Sequence, residues 1–176
     1  IDTVSYIDSA SLVNVNLTRT GVQFGGSAAN DILVNIENII GSNFADVLTG
    51  NGVANIINGG SGNDTITGAG GVDTLIGGLG TDMFRYSAIT DSGIGAGLRD
   101  IISDFVSGTD KIDLGDFAGT FSFNGTGAFT GTVNEVNYVQ VAGNTIIGVD
   151  ANGNGTLDFQ IELAGLHNLV VGDFLL

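Results

Sequence analysis

Gly59-Gly60-Ser61-Gly62-Asn63-Asp64-Thr65-Ile66-Thr67 is followed at once by Gly68-Ala69-Gly70-Gly71-Val72-Asp73-Thr74-Leu75-Ile76 and Gly77-Gly78-Leu79-Gly80-Thr81-Asp82-Met83-Phe84-Arg85. Two looser copies precede them, Gly41–Thr49 and Gly50–Asn58. In all five units the first place is Gly, the sixth is Asp or Asn, and the eighth is Leu, Ile or Phe. Such a period sets the architecture before any local propensity is weighed.

The two halves of a unit have different physics. Glycines supply a backbone that turns through positive φ and packs closely against its neighbour. The last three residues surround one apolar side chain and predict a short strand with that side chain pointing inward. Two units then make one coil, and stacking the coils lines up Leu48, Ile57, Ile66, Leu75 and Phe84 as a thin core. The expected fold class is all-β, a parallel β-roll.

Stacked strands lie about 4.8 Å apart, so acids two units apart become neighbours. Asp46, Asp64 and Asp82 fall on one side, Asn55 and Asp73 on the other. At that spacing two carboxylates repel by roughly 0.9 kcal/mol in water and about 3.5 kcal/mol at an effective dielectric of 20. Several such contacts consume much of a typical stability of about 5–15 kcal/mol, so a positive charge has to sit between them. Glycine turns also aim carbonyls into the same gap. Hard oxygen donors without imidazole or thiolate select calcium.

The units match the pattern GGxGxDxUx of calcium-binding β-rolls, and the chain resembles the RTX (repeats-in-toxin) family over roughly residues 28–176. Gly59–Thr67 and Gly77–Arg85 fit at every defined position, whereas Gly68–Ile76 departs at Ala69. In the first two units Phe44 and Val53 stand at the fourth place. The resemblance implies calcium ligands at Asp46, Asp64, Asp73 and Asp82, with Asn55 at the equivalent place of its unit. It also implies the carbonyls of Gly59, Gly60, Ser61 and Gly62, of Gly68, Ala69, Gly70 and Gly71, and of Gly77, Gly78, Leu79 and Gly80.

Beyond the glycines, Asp91 and Asp100 keep the nine-residue count from Asp82. Two readings stand side by side: coincidence in an acid-rich stretch, or Asp91 pairing with Asp73 and Asp100 with Asp82 to close the last calcium sites. The segment Asp100–Leu114, with Asp104-Phe105, resembles the post-roll element of serralysin-type proteins, which implies Asp104 and Asp110 as further ligands. The end, Asp173-Phe174-Leu175-Leu176, resembles the acid-plus-hydrophobics terminus of serralysin-type proteins exported by type I secretion.

Upstream, residues 1–40 read as degenerate outer coils, with Glu37 at the sixth place of a unit that starts at Ile32 and lacks the glycines. Residues 41–85 are the repeats. In residues 86–176, Glu135–Val141, Thr145–Val149 and Leu157–Leu163 alternate as antiparallel strands of a β cap, which a solenoid needs over its last coil. Asp150-Ala-Asn152-Gly-Asn154-Gly155 reads either as a hairpin turn or as the opening of an EF-hand-like loop, whose twelfth place is Ile161.

Composition narrows the partners. The 176 residues hold 4 Lys and Arg against 19 Asp and Glu, a formal charge of −15, and no Cys, Pro or Trp. Nucleic acid, anionic polysaccharide and anionic lipid find no basic face. No apolar run of about 18 residues is present, so no membrane insertion is expected. The start at Ile1 reads as a fragment cut from a longer protein.

No catalytic constellation emerges. His167 is the only histidine and fits a half-buried place in the cap. Neither His-Glu-x-x-His, nor a dinucleotide fingerprint, nor a P-loop occurs. Thr65-Ile-Thr67 alone does not make the ranks of an ice-binding face. The chain therefore reads as a calcium-binding module of a type I-secreted bacterial protein, extracellular or at the cell surface, that folds when calcium is met outside. The alternative makes it the tail of an enzyme, a serralysin-type metallopeptidase or a mannuronan C5-epimerase, or the end of an RTX adhesin or surface-layer protein, with the activity upstream.

Overall fold

A nonapeptide with one inward apolar anchor per unit can bury that anchor only against another coil, and the strands are laid out accordingly. The computed structural model describes all 176 residues. The strands are β1 (Thr3–Ser5), β2 (Asn14–Asn16), β3 (Asn38–Ile40), β4 (Val47–Thr49), β5 (Ile56–Ser61), β6 (Thr65–Thr67), β7 (Thr74–Leu79) and β8 (Met83–Arg85). They continue as β9 (Asp100–Ile102), β10 (Lys111–Asp113), β11 (Ser122–Phe123), β12 (Glu135–Val141), β13 (Asn144–Asp150), β14 (Phe159–Leu163) and β15 (Phe174–Leu175). No helix is long and apolar enough to cross a membrane.

Strands alternate strictly between two parallel stacks. One runs β1-β3-β5-β7-β9 and the other β2-β4-β6-β8-β10. Register places the eighth-place residues one above the next: Val15, Leu48, Ile66, Phe84 and Ile112 on one side, and Val4, Ile39, Ile57, Leu75 and Ile102 on the other. From Leu48 to Phe84 every one is sealed from solvent. Each such side chain contributes roughly 1.5–3 kcal/mol relative to exposure, so the two inner ladders carry the register of everything outside them.

Two stretches leave the coil. Residues 17–37 fold back along β2, where Asn14 and Phe24 exchange backbone hydrogen bonds of 2.7 and 3.1 Å. That covers an edge which would otherwise expose unpaired N–H and C=O groups. Residues 86–99 separate β8 from β9, and they overturn the pairing expected from a strict count. Asp100, not Asp91, stands beside Asp73, and Asp110, not Asp100, stands beside Asp82. The stretch Tyr86–Ile94 has no glycine at its first four places and Gly93 where an inward anchor is needed, so nothing holds it on a rung. The repeat resumes at Gly95–Ser103, with Asp100 sixth and Ile102 eighth, and again at Phe105–Asp113, with Gly108 fourth, Asp110 sixth and Ile112 eighth.

The first sheet runs on from β9 into β14, which pairs with it in parallel, and then into antiparallel β13 and β12. β12 and β13 meet at Ala142-Gly143, both at positive φ (53° and 90°), the type I′ geometry that matches strand twist. The Asp150–Asn154 stretch is a hairpin turn: Asp150 accepts the N–H groups of Gly153 and Gly155, and Asp158 those of Ala151 and Asn152. The second sheet ends on β15, where Phe174 lies opposite Ile112.

At Gly80 the backbone has φ +144°, and a Cβ would overlap the carbonyl oxygen of Gly62 in the coil before. Ala69 already holds a left-handed conformation, φ +66°, at a steric cost of about 1–2 kcal/mol. Gly80→Ala is expected to lower stability by more than about 2 kcal/mol. Ala69→Gly should raise it by about 0.5 kcal/mol, the relief being partly offset by unfolded-state entropy. Denaturant unfolding at saturating calcium measures both, and a Gly80→Ala protein as stable as the parent would contradict this backbone.

Candidate functional site

The sixth-place side chains form two ladders along the flanks of the roll. In each, one carboxylate oxygen accepts the N–H of the sixth-place residue one coil earlier. Asp64 accepts from Asp46 at 2.8 Å and Asp82 from Asp64 at 2.9 Å. On the other flank Asp73 accepts from Asn55 and Asp100 from Asp73, both at 2.8 Å. Asp110 closes the first ladder on Asp82 at 3.0 Å.

The second oxygen, Oδ2, lies over the Cα of the glycine that opens the same unit. A Cβ at Gly59, Gly68 or Gly77 would overlap Oδ2 of Asp64, Asp73 or Asp82. None of these three glycines has positive φ. The first place is therefore glycine because the carboxylate occupies the space a side chain would need.

These inner oxygens divide the acids into two groups. Oδ2 of Asp64, Asp73, Asp82 and Asp100 is buried and has no hydrogen-bond partner. Asp46 instead receives the N–H of Val13 and both the N–H and hydroxyl of Ser42. Asn55 accepts from the Asn51 N–H and donates to the Glu37 carbonyl. Asp104 takes the N–H groups of Gly77 and Gly78, Asp110 also takes that of Val106, and Asp91 takes those of Ser87 and Ala88.

A buried carboxylate oxygen without a donor is costly, and two on neighbouring rungs of each flank suit a cation. Nowhere do three or more Asp, Glu, His or Cys side chains converge on one point, so backbone carbonyls have to supply further donors. One is close by: the Gly77 carbonyl oxygen borders the same space over Gly59 as Oδ2 of Asp64. An all-oxygen set built from carboxylates and carbonyls suits a hard divalent cation, so the residues present fit the metal that the repeats imply.

Residues 11–176 match the family described as Peptidase M10 serralysin C terminal. The chain belongs to that family. It is 40% identical over 170 residues to the metallopeptidase AprA of Pseudomonas marginalis, and 41% identical over 175 residues to the metalloprotease AprA of Pseudomonas entomophila strain L48. Both alignments cover 93% of this chain, which spans 35–36% of the length of those relatives. The fold resembles the solution structure of the AlgE6R3 subunit of the Azotobacter vinelandii mannuronan C5-epimerase, with a TM-score of 0.61 and 27% identity, covering 79% of this chain and 77% of that one.

As a serralysin C-terminal domain the chain is not the catalytic part of such a protease. His167 is half-buried in the cap, edge-on to Phe105 at 5.8 Å with a ring nitrogen 3.0 Å from the Ala164 carbonyl oxygen. The terminal acid of the family pattern, Asp173, is fully buried and receives the Ser107 hydroxyl and the Gly108 N–H at 2.9 and 2.6 Å. One further buried residue at this flank escapes a reading by motif. Tyr86, just after the last strict repeat, is buried beside Asp73, Asp91 and Asp100. Restarting the count after residue 94 places Asp100, and a second one-residue slip at Asp104 is needed to place Asp110, but nothing in the pattern marks the tyrosine.

Burial raises the Asp73 carboxyl to about 8, with repulsion from Asp100 and then Asp91 adding to it. Burial likewise raises Asp64 to about 7 against the opposing hydrogen bond from the Asp46 N–H, and Asp100 to about 7. Asp82 is raised for the same reason. Each folded value lies above the ordinary 3.8, so without metal the folded state binds more protons than the unfolded one between about pH 4 and 8. The stability these groups contribute is fully present below pH 4 and is lost as pH rises through 7 to 8. Circular dichroism in chelator is expected to show the metal-free chain gaining β structure as pH falls from 8 to 5. A flat or opposite trend would show that these carboxylates are not buried as described.

Proposed function

We propose that this chain is a calcium-dependent folding module, the C-terminal part of a secreted metallopeptidase whose active site lies upstream. The observation that carries the reading is the set of four buried, unpartnered Oδ2 atoms on Asp64, Asp73, Asp82 and Asp100. Calcium held among them and the carbonyls of residues 59–62, 68–71 and 77–80 supplies the missing positive charge. Asp46, Asn55, Asp91, Asp104 and Asp110 order the surrounding turns through N–H groups they already hold.

The mechanism is a switch in folding. Extracellular calcium modules have dissociation constants of roughly 10⁻⁴–10⁻³ M, far above cytosolic calcium. Inside the cell the ladder repels itself and the chain stays loose, which suits passage through a type I secretion apparatus. Outside, each cation held at tenfold over its dissociation constant adds about 1.4 kcal/mol, so four add about 5–6 kcal/mol, a magnitude that decides between folded and unfolded. The end of the chain fits the same order of events. Phe174 is buried as the last rung on β10, so a terminus read by an exporter is available only before folding.

A peptidase parent is favoured over an epimerase because the 40% identity to AprA covers 93% of the chain, cap included. The 27% likeness to the epimerase subunit fits the same roll attached to a different activity.

Circular dichroism is expected to report coil in chelator and β structure in millimolar calcium. Asp82→Asn keeps the acceptor for the Asp64 N–H and removes the charge. It should raise the β content in chelator and shrink the calcium-induced gain in stability by the equivalent of one site, about 1.4 kcal/mol. A chain equally folded in chelator and in calcium would defeat the switch.

A further inference from the structure

The three antiparallel strands of the cap have two faces. Val136, Ile147 and Phe159 turn to the core. The opposite face carries two rows fixed by register: Asn137, Gly148 and Gln160 in one, Val139, Ile146 and Glu162 in the next. Gly148 does not have the positive φ that would call for glycine. A Cβ there would overlap Cδ2 of Leu157 and Oδ1 of Asn137 and press on the Phe129 ring. The bare Cα thus lets the segments 128–129 and 155–157 close onto the sheet as two walls. They border a groove of about 440 Å³, within the roughly 300–1,000 Å³ of small-ligand sites.

The lining combines apolar walls with two side-chain amides whose orientation is set by partners outside the groove. Phe129 and Leu157 form the walls, with Val139 and Ile146 in the floor. Through Oε1, Gln160 accepts the Gly95 N–H at 2.9 Å and the Arg99 guanidinium at 3.2 Å, so its NH2 is the free donor. Arg99 itself is held by Glu162 at 2.7 Å. Asn137 donates its NH2 to the Gly127 carbonyl at 3.1 Å, so Oδ1 is the free acceptor. No charged side chain borders the groove, and the chain around it carries a formal charge of −15.

We propose that this groove binds an extended polypeptide segment with a large apolar side chain and basic or neutral neighbours. Each peptide unit presents one C=O and one N–H, which the Gln160 NH2 and the Asn137 oxygen complement. The apolar side chain leaves water for the space beside Phe129 and Leu157. An acidic segment is repelled by the net charge of the chain and would meet no cation in the groove. The site stands on its own walls and hydrogen-bonding groups. Its use, holding a polypeptide substrate for an active site upstream, rests on the peptidase reading.

The probe is an end-blocked hexapeptide, Lys-Ala-Leu-Phe-Ala-Lys, titrated into the full 176-residue chain, labelled with nitrogen-15, in millimolar calcium. Saturable amide shifts are expected at Val139, Gly148 and the Gln160 side chain. The same peptide with Glu in place of Lys should bind about tenfold more weakly at low ionic strength. Val139→Asn makes the floor polar and Gln160→Met removes the donor, and each should weaken binding about tenfold, the scale of one lost contact of this kind. Ile56→Asn, at an exposed residue of β5 outside the groove, should leave binding unchanged. Circular dichroism in calcium equal to that of the parent separates loss of the groove from loss of the fold in each variant. Shifts scattered over the roll, or undiminished binding in both Val139→Asn and Gln160→Met, would overturn the proposal. Saturation of the same residues by a neutral glucan oligosaccharide, with no binding of the peptide, would overturn it equally. Peptide binding in the groove of a chain whose full-length parent cleaves no polypeptide would overturn the use assigned to the site and uphold the site itself.

Discussion

Four carboxylate oxygens buried without a hydrogen-bond donor are the constraint around which the molecule is organised. They cannot move apart, because the apolar ladders behind them set the stacking of the coils to within the spacing of hydrogen-bonded strands. They cannot turn to solvent, because the partner oxygen of each is tied to an N–H one coil away. The protein thus places acids where their charge is unfavourable, and the calcium proposed here is the counter-charge they lack. Opposition between core and flank of this kind makes folding conditional, since apolar burial alone meets a repulsive flank.

The conditional region is confined to the middle. At the N-terminal side, Asp46 and Asn55 occupy ladder places but have all their partners within the protein, and Glu37 accepts the Asp2 N–H at the outermost rung. At the C-terminal side, Asp104, Asp110 and Asp173 engage backbone N–H groups in the same manner. Three of the four basic residues also lie at that end: Arg85 bonds to Asp113 at 2.8 Å, Arg99 to Glu162, and Lys111 to the Gly172 carbonyl. The ends of the roll are self-sufficient and its centre is not. In a solenoid whose stability sums over neighbouring units, the proposed calcium would then act only where the acids remain unmatched.

The cap closes the stack through continuity of one sheet rather than through a separate layer. β14 joins β9 in parallel and hands the sheet over to an antiparallel hairpin, so the last coil has no free edge on that side. On the other side the chain returns from residue 163 to lay Phe174 on β10. Phe174 is thereby a structural component of the folded domain.

Periodicity by itself determined the coil, its two-unit turn, the identity of the inward residues and the flank on which each acid sits. A nine-residue repeat with one apolar place admits only one way to bury that place. It also made the antiparallel strands of the cap legible, since alternation over Glu135–Val141 and the positive-φ turn at Ala142-Gly143 are local properties. Tertiary structure alone decided where the count is interrupted. The nine residues from Tyr86 to Ile94 carry an acid in phase but no inward anchor, and only the competition for places in the core shows that Asp100 and Asp110, rather than Asp91 and Asp100, extend the ladders. It alone decided which carboxylates have donors and which do not, because N–H groups from Val13, Ser42 or Val106 reach an acid by folding and not by spacing. Tyr86 belongs to the same class: one tyrosine in the sequence has no meaning until folding stacks it on Phe159.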